Sequence, residues 1–247
     1  MSILTLMALF IGEVVSLQPP PLKVGRFTIR SFEEADFDRQ PGTNEIFLSD
    51  CGLYGASWGD GEHPTTRMCL EFLHERVTPG MNVLDWGTGS GVLSIFVCKE
   101  KGARCVGVEL DYASIDAAIA NAKMNGLVQD ELDVIHTREV SAGEFGSRFD
   151  LADVAVANIR PGPLTRISGE LYGATRPGGL IALSGLRTKE LASVREAYLP
   201  FVDPASEDTR SLSTIQAGEW VLWSARTITD ADQRMRVREM LSDLASR

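Results

Sequence analysis

The 247-residue chain predicts a doubly wound α/β fold: a seven-stranded, mostly parallel sheet with helices on both faces and one antiparallel edge strand. Three observations predict it. From Val83 to Tyr198, short β-rich runs and segments of helical apolar spacing form five β-α repeats, and such repeats build parallel sheets covered on both sides. One run, Leu151 to Ala157, is almost wholly apolar, as a strand buried on both faces must be. After the last repeat, Leu212–Ile215 and Trp220–Ala225 flank Gly218 and read as a hairpin, which brings an antiparallel strand to the edge.

The elements follow in order. Residues 1–22 are apolar and end in Pro19-Pro20-Pro21, a stiff extended linker. Residues 23–50 alternate weakly (Phe27, Ile29; Ile46, Leu48) around the acidic run Glu33 to Asp38, a small β-ribbon with a solvated loop. Gly52, Gly55, Gly59 and Gly61 make a flexible stretch before Pro64, which is suited to the first position of a helix. Met68, Leu70, Phe72, Leu73 and Val77 give that helix its apolar face, and Thr78-Pro79-Gly80 ends it. Val83-Leu84, Cys105–Val108, Leu132–Ile135 and Leu180–Leu183 are the remaining strands of the repeats. Leu93–Cys98 reads as a helix face, and Ile115, Ala118, Ile119 and Ala122 as another, closed by Asn125-Gly126. Leu164, Ile167 and Leu171 form a helix stopped by Pro177-Gly178-Gly179; Leu191, Val194 and Tyr198 form the next. Val237, Met240, Leu241 and Leu244 make a closing amphipathic helix.

Charge and composition narrow the function. The 34 acidic residues against 24 basic ones leave a formal charge of −10, which argues against a nucleic-acid partner, whose phosphates need Lys and Arg, and favours a basic one. The four cysteines form no C-x-x-C pair, and with three histidines no zinc spacing arises; free thiols and no metal are expected. The apolar stretch Ile3–Val15 is broken by Thr5, Gly12 and Glu13 and is too short to span a membrane. No Lys or Arg precedes Lys23 and no small-residue cleavage site follows, so a cytoplasmic protein is expected, with an organelle as the alternative and secretion disfavoured.

The chemistry concentrates in three places. Val83-Leu84-Asp85-Trp86-Gly87-Thr88-Gly89-Ser90-Gly91 follows a strand and opens a helix, the setting a nucleotide-binding glycine loop needs. Glycines let a ligand approach the backbone, and the helix start presents unpaired N–H groups. Glu109 ends the next strand, 22 residues after Gly87, where a carboxylate can accept from both ribose hydroxyls. The spacing G-x-G-x-G and the carboxylate of Asp85 at the loop entrance suit a cationic ligand better than a pyrophosphate. S-adenosylmethionine is therefore favoured over a dinucleotide, with Asp85, Gly87, Thr88, Gly89, Gly91 and Glu109 as its binding residues. Asn158-Ile159-Arg160-Pro161-Gly162-Pro163-Leu164 follows the buried strand, at the carboxyl end where ligands of open α/β sheets bind; Asn158 is equally suited to cap a helix. Gly59-Asp60-Gly61-Glu62-His63-Pro64-Thr65-Thr66 reads either as a turn with a capped helix start or as a third wall of the site.

Taken together, Gly61–Thr66, Val83–Ile95, Ala157–Leu164, Pro177–Gly179 and Leu183–Gly185 resemble the PrmA family, bacterial methyltransferases that act on the stalk-base protein of the large ribosomal subunit. The resemblance covers about residues 45–225. It implies a Rossmann-like catalytic domain over residues 51–247, preceded by an extension with a small β-ribbon over 1–50. It also implies a pocket in which Thr66 contacts S-adenosylmethionine, Gly87 lies under its methionine part, Glu109 holds the ribose and Asn158 sits near the methyl group. The acceptors it implies are amines of a protein, on lysine side chains and an N-terminal α-amine; the net charge adds that this protein is basic, with a ribosomal protein one candidate.

The chain departs from the family pattern in places. Glu109 stands where Asp is usual, and Thr88 where Cys is frequent. The stretch Gly52–Gly61 carries insertion and substitution, and only about sixty residues precede His63, where the family has a separate recognition domain. The expected chemistry is direct displacement of the sulfonium methyl by a neutral amine, with rate supplied by alignment and water exclusion. Asn158 is expected to orient the amine, His63 and Glu62 are candidate proton acceptors, and Trp58 a candidate wall of the amine channel. The rival readings are methylation of a small molecule or RNA on the same fold, and a binding protein without catalysis.

Overall fold

A computed structural model describes residues 21–31, 41–49, 63–139, 149–204 and 214–245. The apolar stretch Ile3–Val15, the acidic run Glu33–Asp38, the glycines from Gly52 to Gly61, Trp58, Glu62 and Cys51 lie outside the described residues.

The chain opens with a three-stranded sheet of β1 (Leu22–Val24), β2 (Phe27–Ser31) and β3 (Glu45–Leu48). β1 and β2 pair antiparallel and β3 lies parallel to β2. Leu22, Val24, Phe27 and Ile29 alternate onto one buried face, which is the periodicity expected of a ribbon against a core.

The main sheet contains β4 (Asn82–Trp86), β5 (Arg104–Glu109), β6 (Leu132–His136), β7 (Ala152–Asn158), β8 (Thr175–Arg187), β9 (Thr214–Ala217) and β10 (Trp220–Arg226). Their order is β6-β5-β4-β7-β8-β10-β9, the first five running parallel. β10 is antiparallel to both β8 and β9. The second strand of the hairpin therefore pairs with the sheet, and the antiparallel strand lies one place in from the outermost β9. Gly218, at φ +63, makes the tight turn between them.

Strand periodicity divides the core between the two faces. Val83, Val154, Val156, Leu180 and Ala182 point to one side, packing with α1 (Pro64–Arg76), α2 (Val92–Lys101), Ala122 of α3 (Tyr112–Met124) and the N-terminal sheet. Leu84, Ala155, Ala157, Ile181 and Leu183 point to the other, packing with α4 (Pro161–Arg166), α5 (Ser168–Ala174) and α6 (Leu191–Tyr198). The first face makes one continuous cluster from Leu22 to Leu222. α7 (Ala231–Ala245) packs Val237 and Leu241 with Tyr172, Phe201 and Ile228, whereas Met240 of the expected apolar face stays exposed. Cys69, Cys98 and Cys105 are buried free thiols.

Two expectations are altered. The helix around Leu164–Leu171 is broken in two at Ile167, whose ψ of 11° leaves the helical range. Pro177-Gly178-Gly179 does not terminate an element; it lies inside the long β8. Gly178 at φ +70 kinks the strand, the pairing with β7 shifts register between Ala152 and Val154, and hydrogen bonding to Thr227 continues on both sides. The same residues that signal a turn in sequence serve here as a β-bulge. Among the described residues no helix is long and apolar enough to cross a membrane.

Candidate functional site

β4 carries Asp85 into the core, where it is 1% exposed. Thr88 Oγ1 and Ser94 Oγ donate to its Oδ2 at 2.8 and 2.7 Å, while Oδ1 is buried without a hydrogen-bond partner. Burial pushes the Asp85 carboxyl up to about 6; the Ser94 and Thr88 hydroxyls oppose the shift and the charge of Glu109 adds to it. The loop beyond Asp85 turns through three left-handed glycines, Gly87 (φ +79), Gly89 (φ +54) and Gly91 (φ +81). Gly87 and Thr88 both donate to Val108 O, at 2.7 and 3.1 Å, which holds the loop against β5. Gly91 accepts from Ile95 N at 2.8 Å and starts α2.

Glu109, the last residue of β5, reaches back across the loop. Gly89 N donates to its Oε2 at 3.0 Å, and Leu110 N and Asp111 N donate to Oε1 at 2.7 and 3.2 Å. Leu110 and Tyr112 flank it with 68% and 63% exposure, and Tyr112 stacks on the buried His136 ring at 4.4 Å. An acid fixed beside a tight glycine loop, next to the exposed Leu110 and Tyr112, suits a nucleoside.

Asn158 ends β7 in register with Ser184 of β8. Its Nδ2 approaches Thr66 Oγ1 at 3.5 Å, so two motifs 92 residues apart meet. The intervening device is Ile159. A Cβ on Gly87 would collide with Ile159 Cγ2, and a Cβ on Gly185 would collide with the Ile159 backbone. The residue is wedged between two glycines, one in the loop and one in β8. Gly185 (φ +81) lies where Ser184 and Gly185 together oppose Leu222 of β10, a bulge in the pairing of the two strands.

Thr66 is buried in the first turn of α1. His63 caps this helix: its Nδ1 lies 2.7 Å from Thr65 Oγ1 and accepts from Thr65 N at 3.4 Å. Its ring meets Trp220 edge-on at 4.5 Å, and the Arg187 guanidinium lies 5.1 Å from the same indole.

The structure thus joins Asp85, Gly87, Thr88, Gly89, Gly91 and Glu109 in one loop assembly and places Thr66 beside Asn158. Ile159 links the two groups. His63 is held at the edge by its capping role. Ser94, Ile159 and Gly185 lie inside the sequence motifs and Trp220 in the expected hairpin, but the sequence assigns none of them a role; a glycine inside the strand at 185 is the available signal, since such a glycine marks close backbone approach. Among the described residues no three His, Cys, Asp or Glu side chains are grouped to hold a metal ion.

The family model described as ribosomal protein L11 methyltransferase (PrmA) matches residues 18–226. The ribosomal protein L11 methyltransferase of Pseudomonas paraeruginosa is 39% identical over 155 residues, covering 62% of this chain and 50% of that protein. Its counterpart in Shewanella halifaxensis is 38% identical over 163 residues, covering 65% and 53%. The chain spans about half the length of these curated relatives. A crystal structure of ribosomal protein L11 methylase from Lactobacillus delbrueckii subsp. bulgaricus shares the fold, with a TM-score of 0.63, 20% identity, and coverage of 85% of this chain and 100% of that one. The chain therefore belongs to the ribosomal protein L11 methyltransferase (PrmA) family.

Proposed function

We propose that this chain is an S-adenosylmethionine-dependent methyltransferase that modifies amine nitrogens of a protein, on lysine side chains or an N-terminal α-amine. The observation that carries the reading is the convergence of the glycine loop and Glu109 with the Thr66–Asn158 pair, coupled through Ile159. The residues suit the cofactor: Asp85 keeps an unpartnered buried oxygen, which favours a cationic ligand, and Glu109 faces the loop as a ribose acceptor. Leu110 offers apolar surface to a flat base.

When bound, S-adenosylmethionine would supply a methyl group on a cationic sulfur, to whose carbon a neutral amine would bond as the carbon–sulfur electron pair leaves with sulfur. The left-handed turns at Gly87, Gly89 and Gly91 shape the loop that would hold the ligand, Gly87 leaving room for Ile159 and Gly91 for Ala118. Asn158 orients the incoming nitrogen through a carbonyl oxygen, and the Thr66 hydroxyl steadies its amide. A lysine, with a pKa of about 10.4 in water, must first lose its proton, and desolvation assists. His63, whose Nδ1 is engaged by Thr65, is the candidate proton acceptor in this reading. Alignment and water exclusion supply the rate.

The substrate class is a basic protein, with ribosomal protein L11 the first to test, and the charge of −10 supports that pairing in the cytoplasm. Residues 51–247 form the catalytic unit and 1–50 an extension in this reading. The test is calorimetric titration with S-adenosylmethionine, followed by labelled-methyl transfer to purified L11 and to a cell extract, with mass spectrometry of the product. Binding by the wild type, its loss in Gly89→Trp, and label on a protein amine are expected. No binding by the wild type, or unaltered binding by Gly89→Trp, would refute the cofactor assignment. Label on RNA would refute the substrate class.

A further inference from the structure

Beyond these residues, α3 presents two asparagines, Asn121 and Asn125, one turn apart and both buried. Their partners differ. The Asn125 side chain reaches β3: Phe47 N donates to its Oδ1 at 3.0 Å and its Nδ2 donates to Phe47 O at 2.6 Å, as a neighbouring strand would pair, while its backbone carbonyl accepts from Lys99 of α2 at 3.2 Å. Its Nδ2 also donates to Asn121 O at 2.8 Å within the helix.

Asn121 is fully buried and joins two segments. Its Oδ1 accepts from Ser49 N at 2.8 Å and Ser49 Oγ at 2.7 Å, just past β3. Its Nδ2 donates at 2.8 Å to Ser90 O, the carbonyl between Gly89 and Gly91. The amide has one workable orientation: a flip would set an NH2 against the Ser49 N–H and a carbonyl oxygen against the Ser90 carbonyl. Held by this bond, the Ser90–Gly91 peptide is fixed at the point where Gly91, at φ +81, donates to Thr88 O at 2.9 Å and the loop becomes α2.

We infer that Asn121 is a positioning residue for cofactor binding: it sets the glycine loop through Ser90 and ties that setting to the N-terminal sheet through Ser49. The inference rests on the cofactor reading above. Asn125 is the built-in control, since it secures the same sheet without touching the loop.

Asn121→Asp retains the oxygen that Ser49 needs and removes the N–H to Ser90, and Asn125→Ala releases β3 and leaves Asn121 in place. The first measurement uses no ligand: amide hydrogen exchange across residues 87–95. The second is the dissociation constant for S-adenosylmethionine by calorimetry. In Asn121→Asp, loop exchange should quicken and the dissociation constant rise, each by about tenfold, the size of one lost hydrogen bond with its partner left buried. In Asn125→Ala both should stay within about twofold of wild type, whatever the fall in melting temperature. If Asn121→Asp does not fold, Asn121→Ser carries the same two expectations. Equal changes in both variants, or none in either, would overturn the inference. Failure of the wild type to bind S-adenosylmethionine would refute the cofactor reading instead, while the ligand-free exchange comparison would still decide what Asn121 does to the loop.

Discussion

Replacing Asp85 by Asn should alter how stability depends on pH in a way that can be worked out from its surroundings. The groups facing Asp85 are the Ser94 and Thr88 hydroxyls, the thiols of Cys69 and Cys105, and the charge of Glu109. Burial pushes both thiols up, so they stay neutral through the acid and neutral range. The Asp85 carboxyl rises from 3.8 unfolded to about 6 folded. A raised folded value means that its contribution is fully present below the unfolded pKa and is lost as pH rises through the folded one. Above that, the fold must bury a carboxylate. The rise from 3.8 to about 6, at about 1.36 kcal/mol per tenfold change in proton affinity, amounts to roughly 3 kcal/mol lost between about pH 4 and about pH 7. Asn is neutral throughout and its amide oxygen can still accept from Thr88 and Ser94. Its NH2 falls where Oδ1 has no partner, a cost of about 1–3 kcal/mol that does not vary with pH. The slope, and not the absolute stability, is therefore the readout. Urea unfolding of the ligand-free protein at several pH values should show wild-type stability falling relative to Asp85→Asn by up to roughly 3 kcal/mol across that window. Calorimetry near neutrality should show S-adenosylmethionine bound at least about tenfold more weakly by the variant, because a cationic ligand loses its counter-charge. Parallel pH profiles for the two proteins would refute the reasoning.

Gly185→Ala should destabilise by more than the roughly 1–2 kcal/mol of a left-handed alanine, because its Cβ meets the Ile159 backbone. Gly80→Ala, at a similar φ of +82 with nothing within 4 Å, isolates the strain alone, so equal losses by urea unfolding would refute the wedge. Glu109→Gln keeps an acceptor for Gly89 N but removes the charge, and should weaken S-adenosylmethionine by about tenfold to a hundredfold in calorimetry. His63→Asn keeps a good helix cap, so the melting temperature should barely move while the methyl-transfer rate at saturating cofactor falls; an unaltered rate would assign His63 to capping alone.

Much of this was legible before any coordinates because it is local. The alternation of strands and helices, seen after β4, β5, β7 and β8, depends on side-chain period within each segment. The loop from Asp85 to Gly91 depends on glycines placed between a strand and a helix, and Glu109 on its place at the end of the next strand. The caps of α1 and α3 are equally short-range, yet the sequence points to the threonine hydroxyls at α1, where His63 is the cap, and leaves Asp111 of α3 unassigned. What the chain could not declare segment by segment is set by contacts between remote residues. Pro177-Gly178-Gly179 has the composition of a turn, yet strands on both sides continue pairing and make it a bulge. Asn158 could have capped a helix; its place beside Thr66, 92 residues away, exists because Gly87 and Gly185 leave room for Ile159 between them. Asn121 reads as one polar residue in an amphipathic helix until Ser49 and Ser90 arrive at its two ends. Backbone propensity and apolar period act within a few residues and are written in sequence order. A wedge, a bulge or a shared amide is decided by which segments the packed sheet brings within hydrogen-bonding or van der Waals reach, and only the tertiary structure specifies that.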